Sequence, residues 1–167
     1  MEGFPVDGFF SYKFGGLDEE GYPTFPELFN NEFTSQYQKL QEVMVYQGNR
    51  LPRFYGGFGT EVGYRNLTLS AFFSYKAGHR IRVLDLYRNG QQLPLSGDNM
   101  SREFTGRWRN PGDVTDIPVL SNDPKVVNPM DVGSYYVTGT TSLWKLYDLS
   151  DIRTARADFI RWQSLTL

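Results

Sequence analysis

Residues 53–78 constrain the chain more than any other stretch. Two runs of alternating side chains meet at Arg65-Asn66 with no room for a longer loop, which predicts a tight hairpin. In the first run Phe58, Thr60, Val62 and Tyr64 share one parity, and Gly57, Gly59, Glu61, Gly63 and Arg65 share the other. In the second, Leu67, Leu69, Ala71, Phe73 and Tyr75 alternate with Thr68, Ser70, Phe72, Ser74 and Lys76. This is the period of two of a pleated strand, with one apolar face and one small or polar face. The alternation lasts about ten residues per strand, the length that crosses a bilayer at a tilt, whereas soluble strands peak near five or six. Phe54, Tyr55 and Phe58 on one strand and Phe73 and Tyr75 on the other sit where an interfacial aromatic girdle would lie. Pattern alone leaves two readings open, a hairpin in a membrane barrel wall and a long hairpin in a soluble sandwich.

Composition excludes several classes. With 40% hydrophobic residues, 22% charged residues and a net charge of -2, the chain is neither disordered nor a polycation, so no nucleic-acid partner is expected. Aromatics at 16% and 17 glycines suit strands joined by polar loops. No apolar run approaches the ~18 residues of a membrane helix. Cysteine is absent and His79 is the single histidine, so neither a disulfide scaffold nor a metal site is expected. There is no nucleophile elbow, metal-ligand spacing or phosphate loop, and the expectation is a protein with no catalytic residues and no cofactor. The first residues lack a basic region followed by an apolar one, which predicts a cytosolic chain or an internal piece of a longer exported one.

Taken in order, residues 6–14 read as a first strand with Phe10, Tyr12 and Phe14 on one parity. Residues 15–25 read as a turn and loop, in which Asp18, Glu19 and Glu20 lack the spacing of a calcium loop. A polar connection over 27–49 carries a short helix at 34–46, where Tyr37, Leu40, Val43 and Met44 fall at helical spacing. Residues 78–86 prolong the second strand of the hairpin, and Arg88-Asn89-Gly90 reads as a turn. Met100, Phe104 and Trp108 predict a helix over 98–110, capped by Asp98 or Asn99 and stopped at 110–112. Residues 119–142 are loop-like with a short strand at 134–138, and 143–150 are open between strand and helical turn. In the last strand, 157–167, the apolar parity changes from Ile160 and Trp162 to Leu165 and Leu167, which predicts a bulge. Trp108 has two readings, an anchor for its loop and a stacking platform for a sugar. Asp113 and Asp116 read as turn caps rather than as paired catalytic carboxylates.

Four pieces of sequence carry a resemblance. Pro52 precedes Phe54-Tyr-Gly-Gly-Phe-Gly, a Tyr64-Arg-Asn turn, Leu67-Thr-Leu-Ser and Phe73-Ser-Tyr-Lys-Ala-Gly. Ser11-Tyr-Lys is followed by Gly16-Leu-Asp, Gly21 and Pro23. Trp108 leads into Pro111-Gly-Asp, Thr115 and Pro118, and Phe159-Ile-Arg leads to Leu165 and Leu167. Together they resemble the late barrel of the SusC/RagA family of TonB-linked outer-membrane proteins.

The resemblance implies an all-β fold. Residues 1–167 would form an antiparallel transmembrane β-barrel segment of about four long strands (6–14, 54–65, 67–76, 157–167), with long outer loops and a short loop helix. Four strands cannot close a barrel, since the smallest membrane barrels use about eight, so the edges would be completed by strands outside this sequence. A plug domain and a signal peptide would likewise lie outside it. Family members are active importers of glycans, peptides or other nutrients across the outer membrane of Bacteroidetes-type bacteria. They are energised through TonB, which contacts the plug domain, and are capped by a SusD-like surface lipoprotein. The resemblance therefore implies outer-membrane lipid, that lipoprotein, TonB and an oligosaccharide or peptide substrate as partners. Glu61, Arg65 and Lys76 would line the substrate chamber, and Trp108, Pro111, Gly112 and Asp113 would form an outer-loop contact. The alternative is a soluble β-rich carbohydrate-binding module that uses Trp108 and Trp144 as stacking platforms.

Overall fold

The computed structural model describes residues 3–29, 43–86, 97, 99–121, 123, 125–127 and 141–167. Its strands are β1 (Gly8–Tyr12), β2 (Met44–Asn49), β3 (Phe54–Tyr64), β4 (Leu67–Ala77), β5 (Arg80–Arg82), β6 (Val126–Val127), β7 (Thr141–Ser142), β8 (Thr154–Arg156) and β9 (Phe159–Thr166). Among the described residues there are also short helices α1 (Pro26–Phe29) and α2 (Leu143–Asp148) and two 3-10 turns. The fold is mostly antiparallel sheet with little helix, an all-β chain. It divides into two units, one built from Phe10–Val45 and Arg82–Arg153, the other from Glu2–Phe9, Tyr46–Ile81 and Thr154–Leu167.

The second unit is organised by the alternating stretch, which folds into a three-stranded sheet in the order β3-β4-β9. Register runs unbroken from Tyr64↔Leu67 to Phe54↔Ala77. The two-residue turn places Arg65 in the left-handed region at φ 56°, where a side chain costs about 1–2 kcal/mol. The Arg65 guanidinium lies 5.3 Å from the Tyr64 ring. On the far side of β4, strand β9 pairs antiparallel, and the register shifts where Phe72 faces Ser164 while Phe73 faces Trp162. Gln163 is the extra residue, the bulge expected from the parity change. It brings Leu165 onto the face already occupied by Ile160 and Trp162, a face that uninterrupted alternation would deny it.

Residues 78–86 do not prolong β4. Gly78 adopts φ 79°, the chain turns, and β5 pairs with β8 instead. The Gly78 N–H donates to Asp158 Oδ1 at 2.7 Å and the Ala157 N–H to the His79 carbonyl at 3.1 Å, which fixes where β4 ends and β9 begins.

Residues 6–14 do not form a fourth long strand either. Only Gly8–Tyr12 is extended, and it pairs with the short β2 rather than with the hairpin. Ser11 and Tyr12 are buried, and the Tyr12 N–H donates to Leu149 O at 3.2 Å. Alternation over five residues is satisfied by packing in a core and does not require a wall. The helix expected at 34–46 falls largely outside the described residues, and its end, from Met44, is strand β2. The turn at Arg88-Asn89-Gly90 and the strand at 134–138 also lie outside them.

The first unit is assembled on α2. Leu143 and Leu146 enter a cluster with Tyr12, Tyr22, Phe25, Leu28 and Val43, while Trp144 and Tyr147 enter a second with Leu86 and Phe104. One helical turn thus serves two cores, because residues three apart share a face. Ser142 caps it by accepting the Lys145 N–H, and at the other end Arg82 donates to the carbonyls of Asp148 and Ser150 and to Phe10 O and Ser11 Oγ. A cation at that end complements the unpaired carbonyls of a helix C-terminus. The helix expected over 98–110 is reduced to a 3-10 turn at Arg102–Gly106, capped by Ser101. The cap is Ser101 rather than Asp98 or Asn99, its Oγ accepting the Glu103 N–H, and Gly106 then weakens any continuation.

Candidate functional site

Every residue directly opposite another in an antiparallel pair projects to the same side, so the registers sort the sheet into two faces. One carries Phe54, Phe58, Val62, Tyr64, Leu67, Leu69, Phe73, Tyr75, Ile160, Trp162 and Leu165. Its rings pack across the strands, with Phe58 and Phe73 stacked at 5.1 Å and Phe73 and Trp162 at 6.0 Å. Even so it stays largely uncovered, with Val62 60%, Tyr64 69% and Ile160 71% exposed. The opposite face carries Tyr55, Glu61, Thr68, Ser70, Phe72, Ser74, Lys76, Phe159, Arg161, Gln163 and three glycines.

Gly57 and Gly59 of β3 have a packing reason. A β-carbon at Gly57 would sit 2.7 Å from Phe72 Cζ, and one at Gly59 would sit 3.2 Å from Phe72 Cδ2. Phe72 therefore lies down over a groove of bare backbone, the device that offsets the poor strand propensity of glycine. Beside it Gln163 Nε2 donates to Ser74 Oγ at 2.7 Å, so the bulge residue also belongs to the polar face.

Of the residues singled out from sequence, Glu61 and Lys76 share the polar face, six positions apart in register and so about 20 Å apart. Arg65 is not with them, because it occupies the turn at the end remote from Lys76. Arg161 and Phe159 were missed, and Tyr55, expected in the aromatic girdle of the apolar face, lies on this one, whereas Phe72 shares it as its parity predicts. The parity of 157–167 pointed to Arg161, but only the bulge and the β4 register place it beside Lys76.

Trp108, Pro111, Gly112 and Asp113 belong to the first unit. The Trp108 indole lies flat on Gly21, so that a β-carbon there would meet Cδ2 at 2.4 Å, and Gly21 also needs φ 82°. Trp108 is thus an anchor between its own loop and the 15–25 turn, a turn held by Asp18 Oδ1 accepting the N–H groups of Glu20 and Tyr22. Pro111, Gly112 and Asp113 form an exposed turn beyond it. Asp113 Oδ2 accepts from the N–H groups of Arg109 and Asn110 at 2.9 and 3.0 Å, and these bonds hold its carboxyl below the usual carboxylate range. Val114 projects fully into solvent next to this turn. Trp144 is 3% exposed and donates to Val119 O, so it offers no stacking platform.

One buried acid stands apart. Asp148 is 2% exposed and its Oδ1 has no hydrogen-bond partner among the described residues. Burial first, and then the Asp85 carboxylate, push its pKa up to about 7, against the pull of Arg153 and Lys145. Neighbouring Tyr147 is pushed up to about 12, again mainly by burial. Among the described residues no group of three or more potential metal-binding side chains converges. Neither protein-family models nor curated proteins matched the chain.

Proposed function

We propose that this chain is a wall segment of a TonB-dependent outer-membrane importer of the SusC/RagA kind, moving nutrients such as glycans or peptides. The observation that carries the reading is the uncovered apolar face of the β3-β4-β9 sheet. A continuous exposed apolar surface of this extent marks contact with another apolar phase. Its length fits a bilayer. Phe54 to Tyr64 spans about 33 Å along the strand, or about 25 Å across a sheet tilted by ~40°, the height of the apolar band of membrane barrels. Aromatic residues stand near both ends of that span, Phe54 and Tyr75 at one and Tyr64 at the other.

The connections are asymmetric in the same sense. β3 and β4 join through two residues, whereas β4 returns to β9 through residues 78–158, leaving and re-entering at the same end of the sheet. Short turns at one rim and long loops at the other are the barrel arrangement. The free edges of β3 and β9 then pair with further wall strands, because unpaired backbone groups in hydrocarbon cost several kcal/mol each. On this reading the polar face lines the substrate chamber, Glu61 and Lys76 project into it, and Arg65 lies at the periplasmic turn. The turn at Pro111, Gly112 and Asp113, stiffened by Asp113 and seated by Trp108, offers an outer surface to a SusD-like lipoprotein.

The absence of cysteine makes a direct test possible, since a single introduced thiol reports on its own position. In the native outer membrane, cysteines at Thr68, Ser70 and Thr166 are expected to react with a water-soluble maleimide, and cysteines at Leu69, Val62 and Leu165 to stay unreacted until detergent is added. Equal labelling at both parities, or recovery of the protein in the soluble fraction, would overturn the assignment.

A further inference from the structure

We infer that the polar face of the β3-β4-β9 sheet binds an acidic glycan, an oligosaccharide carrying carboxylate groups, at a stripe of cations that crosses the three strands. The inference rests on the preceding reading of this face as the chamber lining and specifies the substrate class.

The stripe follows from register. Arg53, one residue before β3, packs its Cβ against the position opposite it, since a β-carbon at Gly78 would lie 3.1 Å away. Lys76 is two residues back along β4, facing Tyr55 on one side and Phe159 on the other. Arg161 faces Ser74, again two residues further back. Each cation is thus a diagonal neighbour of the next, about 7–8 Å away between strands. All three are exposed. None makes an ion pair among the described residues. The acid nearest the stripe in sequence, Asp158, already accepts the Gly78 N–H and stands 3.7 Å from Arg156 Nε, while Glu61 is six positions away from Lys76 in register.

Three like charges so close repel one another, and a sequence with a net charge of -2 had acids to spare for neutralising them. Without an ion-pair partner among the described residues and against low-dielectric walls, they focus a positive potential into the lumen and draw in anions. The aromatic residues narrow the ligand. Tyr55 and Phe159 flank Lys76, and the Arg161 guanidinium lies 5.8 Å from the Phe159 ring. Phe72, 47% exposed, spreads its ring over Gly57 and Gly59 next along the face. Rings that lie along a sheet offer flat apolar surfaces to the C–H faces of pyranoses, spaced between cations that take carboxylates. Gln163 and Ser74, bonded to each other, add polar groups suited to hydroxyls.

The test uses the complete protein in its native outer membrane with Ser164→Cys, a position facing Phe72 on the polar side. Labelling by a neutral maleimide is expected, together with protection by oligogalacturonate and none by maltooligosaccharide or oligoglutamate of the same length. Combined Arg53→Gln, Lys76→Gln and Arg161→Gln is expected to raise the oligogalacturonate concentration needed for protection about tenfold or more. Should that variant not reach the membrane, Lys76→Gln alone is expected to raise it about threefold. No protection, equal protection by either control oligomer, or protection indifferent to the charges would overturn the acidic-glycan assignment and leave the chamber face standing. A thiol that labels only in detergent would remove the chamber face itself, and the inference with it.

Discussion

Asp148 shows how one residue sets a condition on the unit around it. The last residue of α2, it buries its carboxyl near Asp85, Arg153 and Lys145, and it keeps its proton to about pH 7 rather than releasing it near 3.8. Between those values the folded state binds a proton that the unfolded chain does not. Stability of this unit therefore falls as pH rises from about 4 to about 7 and levels off above. Asp148→Asn, which keeps an acceptor and carries no charge, is expected to flatten that slope and to stabilise α2 at pH 8 by about 2–4 kcal/mol. Hydrogen exchange of the Leu146, Tyr147 and Leu149 amides at pH 5 and pH 8, corrected for intrinsic rates, measures it. An unchanged slope in the variant would assign the pH dependence to another group. No pattern in the sequence marked Asp148, because a buried acid next to Leu146 and Tyr147 is recognised only once both cores close around the helix.

At the level of elements, the sequence was legible where a pattern repeated often enough to exclude alternatives. The hairpin is read from eleven residues on each strand, and its turn and both faces agree with the alternation. The bulge at Gln163 was legible for the same reason, since apolar residues on both sides of it had to reach one face. The strand at 6–14 is present but shorter and paired with β2 rather than a long wall strand, and the helix at 98–110 is a 3-10 turn, because five residues of alternation, or three apolar positions at helical spacing, fit several structures. There the Ser101 cap and burial of Tyr12 decided the outcome. The two faces make unequal demands on substitution. Leu69→Lys puts an ammonium on the apolar face between its turn end and its middle and is expected to cost about 1–2 kcal/mol of assembled-barrel stability in a bilayer, whereas Thr68→Lys on the other face costs little. Urea unfolding of the complete protein in vesicles measures both, and equal costs at the two positions would contradict a lipid-facing side.

The whole molecule carries two kinds of surface that make opposite demands on its surroundings. The unit around α2 buries Leu146, Tyr147, Phe25 and Leu28 almost completely and caps α2 from within, through Ser142 and Arg82, as a water-stable core does. The unit around the hairpin leaves Phe54, Phe58, Tyr64, Ile160 and Trp162 uncovered, and both outer edges of its sheet are open among the described residues. In water, covering that face and pairing those edges both favour contact with a second copy, the route by which long apolar edge strands aggregate. Residues 1–167 expressed alone in aqueous buffer are therefore expected to sediment as aggregates, and micelles of a mild detergent to cover the apolar face and delay this without closing the edges. Light scattering and sedimentation with and without detergent measure it. A monodisperse monomer with a cooperative melt in plain buffer would mean that residues 1–167 cover the apolar face themselves, and the membrane wall assignment would then fail for the sheet as a whole.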